Sequence, residues 1–293
     1  MTAIRPQLHY YNIGTRVVAF STTRHGGVGQ GHYACFNVNH YCGDTAEAVG
    51  QNRHALCQLL GIGEQRLVYP HQTHNTRICA IDKAFLQLSE AERAQRLEGI
   101  DALSTREKGI CIGVSTADCI PVLLYDEEHG AVAAIHAGWR GTVGRIAEQA
   151  VAHMQTTYGS RPETLRAVIG PGISLEHFEV GDEVYAAFAE AGFQMEQIAR
   201  RFEKWHIDLW ECNREQLMSQ GVRAENIQTA GICTYAHCDD FFSARRLGIN
   251  SGRILTGIMV NPPAETHQQK PTPNPSRREG SLTTSNTEIY FVR

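Results

Sequence analysis

The chain has 293 residues, 42% hydrophobic and 20% charged, with 27 Lys and Arg against 31 Asp and Glu for a net charge of −4. That composition suits a globular chain with a sizeable core and gives no basic footprint for nucleic acid or an anionic membrane. No apolar run approaches the roughly 18–20 residues of a membrane helix, and the N-terminus MTAIRPQLHYYNIG lacks the charged-then-apolar pattern of a leader. Nine irregularly spaced cysteines read as reduced thiols of a cytoplasmic protein.

In chain order, RVVAFST at 16–22 reads as a strand followed by the glycine-rich RHGGVGQG. Residues 44–60 carry an Asp cap and helical apolar spacing that stops at Gly61. RLVYPHQTHNTRICAI is β-like, and residues 83–98, rich in Ala, Leu, Glu, Gln and Arg, read as one helix. GICIGVST, IPVLLYD and AVAAIHA are strands, VGRIAEQAVAHMQTTYG is a helix ending at Gly159, and LRAVIGPGIS is a strand entering a Gly-Pro turn. DEVYAAFAEAGF and LWECNREQLMSQG read as helices; IQTAGICTY and RILTGIMV are the last strands. Strands and helices do not alternate strictly, which predicts an α+β fold: a mixed β-sheet core flanked by helices, in a single domain over 1–260. From Asn261 the chain is dense in Pro, Ser, Thr and Asn, so 261–293 reads as a disordered or loosely attached tail.

IPVLLYD and AVAAIHA suggest a β-hairpin. A turn centred between Glu127 and Glu128 pairs Asp126 with His129, Leu123 with Val132, and Cys119 with His136. Directly opposed residues have Cβ atoms about 4.5–5.5 Å apart, so both side chains would reach one metal ion, or a thiol would reach an imidazole. A one-residue slip instead puts Cys119 opposite Ala137 or Ile135, and a buried cysteine beside a hydrogen-bonded histidine is common core filling. Asp118, next to the cysteine, is expensive if buried without a partner. HAGWRGT sets glycines and Arg140 before a predicted helix, an arrangement suited to an anion.

The stretches DALST, GVSTADCIPVLLYD and AVAAIHAGWRGT resemble the signature of the laccase-domain, or polyphenol oxidase, family. That family includes the bacterial peptidoglycan editing factor and metal-dependent purine nucleoside phosphorylases. STTRHGGVGQGHYACFNVN, QTHNTRI, IGPGIS, FEVGDEV, DLWECNREQL, FFSARR and GRILTGI extend the resemblance over roughly 16–260. It implies a His/Cys/His zinc site of Cys119, His136 and His74, the last from QTHN where the family has Gln-Val-His-Gly. His71 is a nearby decoy: in a strand, positions three apart face opposite sides. Asn75 replaces the family glycine, and Asn also tolerates left-handed backbone.

Three mixed nitrogen and sulfur ligands suit a catalytic zinc with an open fourth position; a structural site would be closed, and nothing local pairs Cys111 or Cys233 with the three. Zn2+ would keep the Cys119 thiol deprotonated and lower the pKa of a bound water; Cu2+ is the second cofactor candidate. Arg24, Arg140, Arg245 and Arg246 are candidates to hold phosphate or an acidic substrate, Arg140 foremost because of its glycine neighbours. Asn37 and Asp118 match family motif positions with open roles, and Asp208 in HIDLW reads as a helix cap or turn acid.

The resemblance implies a small-molecule enzyme with His74, Cys119 and His136 as its catalytic residues. The reactions implied are phosphorolysis of adenosine, inosine, guanosine or S-methyl-5'-thioadenosine, and deamination of adenosine. The alternative is an amidase that corrects cell-wall precursors with the same zinc site. Copper-dependent phenol oxidation fits less well, since no His-x-His spacing occurs. A metal-free hydrolase with Cys119 as nucleophile and His136 as base, and a metal-binding module without turnover, complete the alternatives.

Overall fold

IPVLLYD and AVAAIHA are buried at every position, which requires cover on both faces of the strand pair they form. The computed structural model, which describes residues 4–261, supplies that cover. In a six-stranded sheet the order is Ile227–Thr229, Arg166–Ile169, Ile120–Asp126, Ala131–Ala137, Ala102–Thr105 and Ile78–Ala80. The two outermost pairings are parallel and the inner ones antiparallel. A five-stranded sheet runs Leu8–Tyr11, Val17–Thr22, Ile254–Val260, Cys111–Thr116 and Leu67–Val68. A third, small antiparallel sheet joins Glu179–Val180, Trp205–Ile207 and Ala199–Arg201.

Alternation along the strands shows how the layers stack. Leu123 and Tyr125 share a core with Ile112, Val114 and Ile258, so the two large sheets pack face to face. Val122 and Leu124 point the other way, into a core with Ile146, Val151 and Met154 of the helix Ile146–Tyr158 and Leu217 of the helix Leu209–Ser219. On the far side, Phe20, Leu255 and Met259 pack with Leu56 of the helix Ala46–Leu60. The fold is therefore a mixed α+β assembly of helices, two sheets and helices.

Several local expectations need correction. Thr45, not Asp44, caps the first helix by accepting from the Ala48 N–H; Asp44 instead accepts from Asn37 Nδ2 and the Thr45 N–H. The single helix expected over 83–98 is two, Lys83–Leu86 and Glu90–Leu97, because Ser89 and Glu92 form a capping box that starts a new helix. The helix expected to run from 143 breaks at Arg145, whose φ of 62° lies in the left-handed region. The tail lies, from residue 262, outside the described residues.

The hairpin forms, but its register differs. Pro121, not Cys119, faces His136; Leu123 faces Ala134 and Asp126 faces Ala131. The cause is the turn: the Asp126 carboxylate accepts from the Glu128 and His129 N–H groups at 3.0 and 3.2 Å, and Gly130 takes φ 62°. The loop therefore holds four residues, Glu127 to Gly130, and its centre moves one position along. Since the slip is even in the pairing, the faces are preserved.

Candidate metal centre

Cys119 ends the segment that carries the chain from one large sheet to the other, between the strands Cys111–Thr116 and Ile120–Asp126. The crossing is sharp, and Asp118 takes φ 85° to make it. Such a conformation persists only where its surroundings fix it. Asp118 is fixed on both carboxylate oxygens: Oδ1 accepts from Thr234 Oγ1 at 2.8 Å and Oδ2 from the Arg245 backbone N–H at 2.7 Å. Its carbonyl also accepts from the Ile173 N–H at 2.8 Å. The open role of Asp118 is thus to hold the cysteine's turn.

His136 lies next to last in its strand and is 3% exposed. Its Nδ1 donates to Asp101 Oδ1 at 2.7 Å, which leaves Nε2 as the free nitrogen. Asp101, itself 0% exposed, also accepts from the backbone N–H groups of Thr73, His74 and Asn75 at 3.2, 3.0 and 2.9 Å. One carboxylate therefore orients His136 and shapes the turn that presents His74. The turn residue at positive φ is His74 itself, at 63°. Asn75 reinforces the turn by accepting from the Arg77 N–H and donating to Thr73 Oγ1 and the Gly99 carbonyl.

These elements bring His74, Cys119 and His136 together, with one ligand atom from each within 4.8 Å of the others. Among the described residues this is the one such group of three or more His, Cys, Asp or Glu side chains. Gly138 leaves the room: a Cβ there would lie 2.9 Å from Cys119 Sγ and 3.0 Å from His74 Cδ2. Its φ of −68° would accept alanine, so the demand is spatial. Gly138→Ala is expected to destabilise the metal-free protein by about 1–3 kcal/mol through overpacking and to weaken metal uptake. Urea unfolding and competition against a chelator measure the two effects.

Burial alone pushes the Cys119 thiol up, but the imidazoles of His136 and His74 reverse this and bring it well below its ordinary value. Burial likewise disfavours charge on His136, and the neighbouring Cys119 sulfur and Asp101 carboxylate override it and raise the ring's basicity. The donor set fits a zinc or copper ion: two imidazoles and an easily ionised thiol. Cys111 does not join it; it is 0% exposed in the core with Phe20 and Leu56. Cys233 also stands apart, accepting from the Ser174 N–H and lying 3.6 Å from His177 Nδ1.

The segment around His74 is a turn between the short strands Leu67–Val68 and Ile78–Ala80, so strand alternation does not separate His71 from His74. His71 is set apart by its own partner, with Nδ1 2.9 Å from both carboxylate oxygens of Glu98. It nevertheless lines the same cavity of about 170 Å³ as the three clustered residues. Arg24, Asn37, Arg140 and Arg245 do not line that cavity. The Arg24 guanidinium donates to the Ala34 and Cys238 carbonyls, each at 2.7 Å. Asn37 is wholly buried and bonded to Asn39 and Asp44. Arg140 lies exposed over the Trp139 ring at 4.2 Å, and the Arg245 side chain donates to the carbonyls of His177 and Glu179. Arg246 rests over Tyr235, and Asp208 caps the helix Leu209–Ser219.

Arg253 does line the cavity, and sequence reasoning passed over it. Asp101 was passed over as well, although an acid between Ile100 and Ala102 at the head of a strand signals a buried carboxylate in need of partners. Gln72 is a third: its amide accepts from the Ser115 N–H at 2.7 Å and donates to the Ser115 carbonyl at 2.8 Å, tying the His74 turn to the strand before Cys119.

The family model that matches, over residues 18–261, is described as multi-copper polyphenol oxidoreductase laccase. A purine nucleoside phosphorylase of Bacteroides thetaiotaomicron is 52% identical over 245 residues, 83% of this chain and 91% of that protein. Adenosine deaminase RL5, from an unknown prokaryotic organism, is 47% identical over 245 residues, 83% of this chain and 93% of its own. The crystal structure of YlmD from Geobacillus stearothermophilus has a TM-score of 0.79 at 31% identity, covering 85% of this chain and 93% of that one. Fold, sequence and relatives agree, and the chain belongs to the multi-copper polyphenol oxidoreductase laccase family.

Proposed function

We propose that this protein is a zinc-dependent enzyme of purine nucleosides. It cleaves the glycosidic bond of adenosine, inosine, guanosine or S-methyl-5'-thioadenosine with phosphate, and it deaminates adenosine. The observation that carries this reading is the convergence of His74, Cys119 and His136 on a gap kept open by Gly138, at the wall of a cavity. The names of the similar proteins, purine nucleoside phosphorylase and adenosine deaminase, supply the substrate class.

His74, Cys119 and His136 would hold the ion, which when bound supplies a Lewis acid beside the substrate. The remaining work falls to the chain. Asp101 keeps the His136 Nδ1 proton in place and so directs Nε2 to the centre. Gln72 and Asp118 fix the two turns that carry His74 and Cys119. Arg253 brings positive charge to the cavity wall, its guanidinium held by the carbonyls of Ile249, Ser251 and Gly252. All nine cysteines are free thiols, which supports a reducing, cytoplasmic setting, and the partners in this reading are small molecules.

The test is incubation of the purified metal-loaded protein with adenosine and phosphate, followed by chromatography. Adenine with ribose 1-phosphate is the expected mark of phosphorolysis, and inosine with ammonia that of deamination. Absence of both, with turnover of a cell-wall precursor amide, would replace this reading by the amidase.

A further inference from the structure

A site that cleaves or deaminates a purine nucleoside must move a proton, and the three clustered residues are committed to one another and to an ion. The other titratable side chains lining the cavity are Tyr41, Cys42, His71 and Arg253. Arg253 has no acceptor atom in its side chain, and its guanidinium donates to the carbonyls of Ile249, Ser251 and Gly252. Burial raises the Cys42 thiol, whose Sγ donates to the Asn39 carbonyl at 3.3 Å. Burial, aided by the Glu98 charge, also raises Tyr41. His71 remains, the one of the four whose ring can accept a proton at one nitrogen while donating from the other.

His71 is also held as such a group needs to be. Its N–H donates to the Leu97 carbonyl at 3.1 Å, and its carbonyl accepts from the Gly99 N–H at 2.9 Å. The ring stacks on Tyr41, with centroids 4.4 Å apart and planes 22° from parallel. Nδ1 donates to the Glu98 carboxylate, leaving Nε2 free. The side chains of His71 and Glu98 are 39% and 59% exposed, so the pair touches bulk water while His71 also lines the cavity. A histidine oriented by a carboxylate through one nitrogen, with the other free, is the arrangement of a general acid–base.

We propose that His71, positioned by Glu98, is the proton-transfer residue of this site; the assignment rests on the purine nucleoside reading. In deamination, a C–O bond forms between water and purine C6 as His71 Nε2 accepts one water proton. The C6–N bond then breaks with its electron pair going to nitrogen, and His71 returns that proton to the departing amine, giving ammonia. The second water proton ends on N1 of the product. In phosphorolysis a C–O bond forms from hydrogen phosphate to the ribose anomeric carbon while the C–N bond to the base breaks. The electron pair leaves with the base, and His71 carries the phosphate proton to it. Neither sequence consumes an oxidant or a reductant.

The test compares wild type, His71→Ala, His71→Gln, Glu98→Gln and Glu98→Asp as metal-loaded proteins, with adenosine, with and without phosphate. His71→Gln preserves a donor for Glu98 should the alanine variant fold poorly. Both His71 variants are expected to lose about 10²–10⁴ in kcat, with KM and metal content unchanged and partial recovery of His71→Ala by added imidazole. Glu98→Gln is expected to lower kcat less, again at constant KM, with Glu98→Asp restoring part of it. Wild-type turnover matched by both His71 variants overturns this assignment alone, as does a fall in kcat that accompanies loss of metal. A wild type that turns over no purine nucleoside overturns the functional reading, and this assignment with it.

Discussion

Cys119→Ala is expected to abolish both metal retention and turnover. The thiolate is the one anionic donor of the three, and its removal leaves two imidazoles, one of them at the exposed His74. Two neutral nitrogens hold a divalent ion far less firmly than a set completed by a thiolate. Metal content should fall from about one ion per chain to under a tenth after dialysis, measured by plasma emission. A bound ion contributes several kcal/mol of charge stabilisation, and each 1.36 kcal/mol is tenfold in rate, so kcat should fall by about 10³ or more. The variant should also lose the thermal shift that added zinc gives the wild type, since only a native-state ligand raises the midpoint. A metal-free mechanism with Cys119 as nucleophile predicts something different: the wild type keeps full activity in chelator. That result, with the same loss in the alanine variant, would overturn the metal reading while leaving the cysteine central.

How much of this was legible in the sequence depends on how locally each feature is encoded. The strands IPVLLYD and AVAAIHA carry their own signal because every position is apolar or paired, and their hairpin forms. Its register was misplaced because Asp126 and Gly130 act through backbone hydrogen bonds and a left-handed conformation, which alternation does not report. The error left Cys119 and His136 on one face, so their proximity survived it. His74 sits some 45 residues from Cys119, on a turn shaped by Asp101 rather than by its neighbours, and only the family resemblance pointed to it. The placement of the candidate arginines is likewise set by packing that their sequence neighbours do not report. Arg24, Arg140 and Arg245 are flanked by suggestive residues, yet tertiary packing points their guanidinium groups at carbonyls and aromatic faces elsewhere. His71 reads as a decoy because strand alternation would turn it away from His74, whereas in the folded turn it is Glu98 that sets it apart.

Asp101→Ala is expected to cost both stability and metal affinity, more than any other change outside the three clustered residues. The carboxylate is wholly buried and accepts four hydrogen bonds, two at each oxygen: His136 Nδ1 and the His74 N–H at Oδ1, the Thr73 and Asn75 N–H groups at Oδ2. Alanine leaves three backbone donors and a buried imidazole without their partner. Removing one member of a buried charged pair typically costs about 3–5 kcal/mol, and stranded donors fall in the same range. Asp101→Asn separates shape from charge. Whichever way its amide turns, the NH2 meets two donors that an oxygen had accepted, so asparagine should recover the volume but only part of the stability. Metal affinity should fall in both variants by about 10–100-fold, the usual effect of removing a partner that orients a ligating histidine. Here the effect should sit at the upper end, because the same carboxylate also shapes the turn that presents His74. Urea unfolding of the metal-free proteins and zinc titration against a competing chelator provide the two readouts. An asparagine variant that matches wild type in both would show that the turn and the His136 orientation are held without the carboxylate's charge.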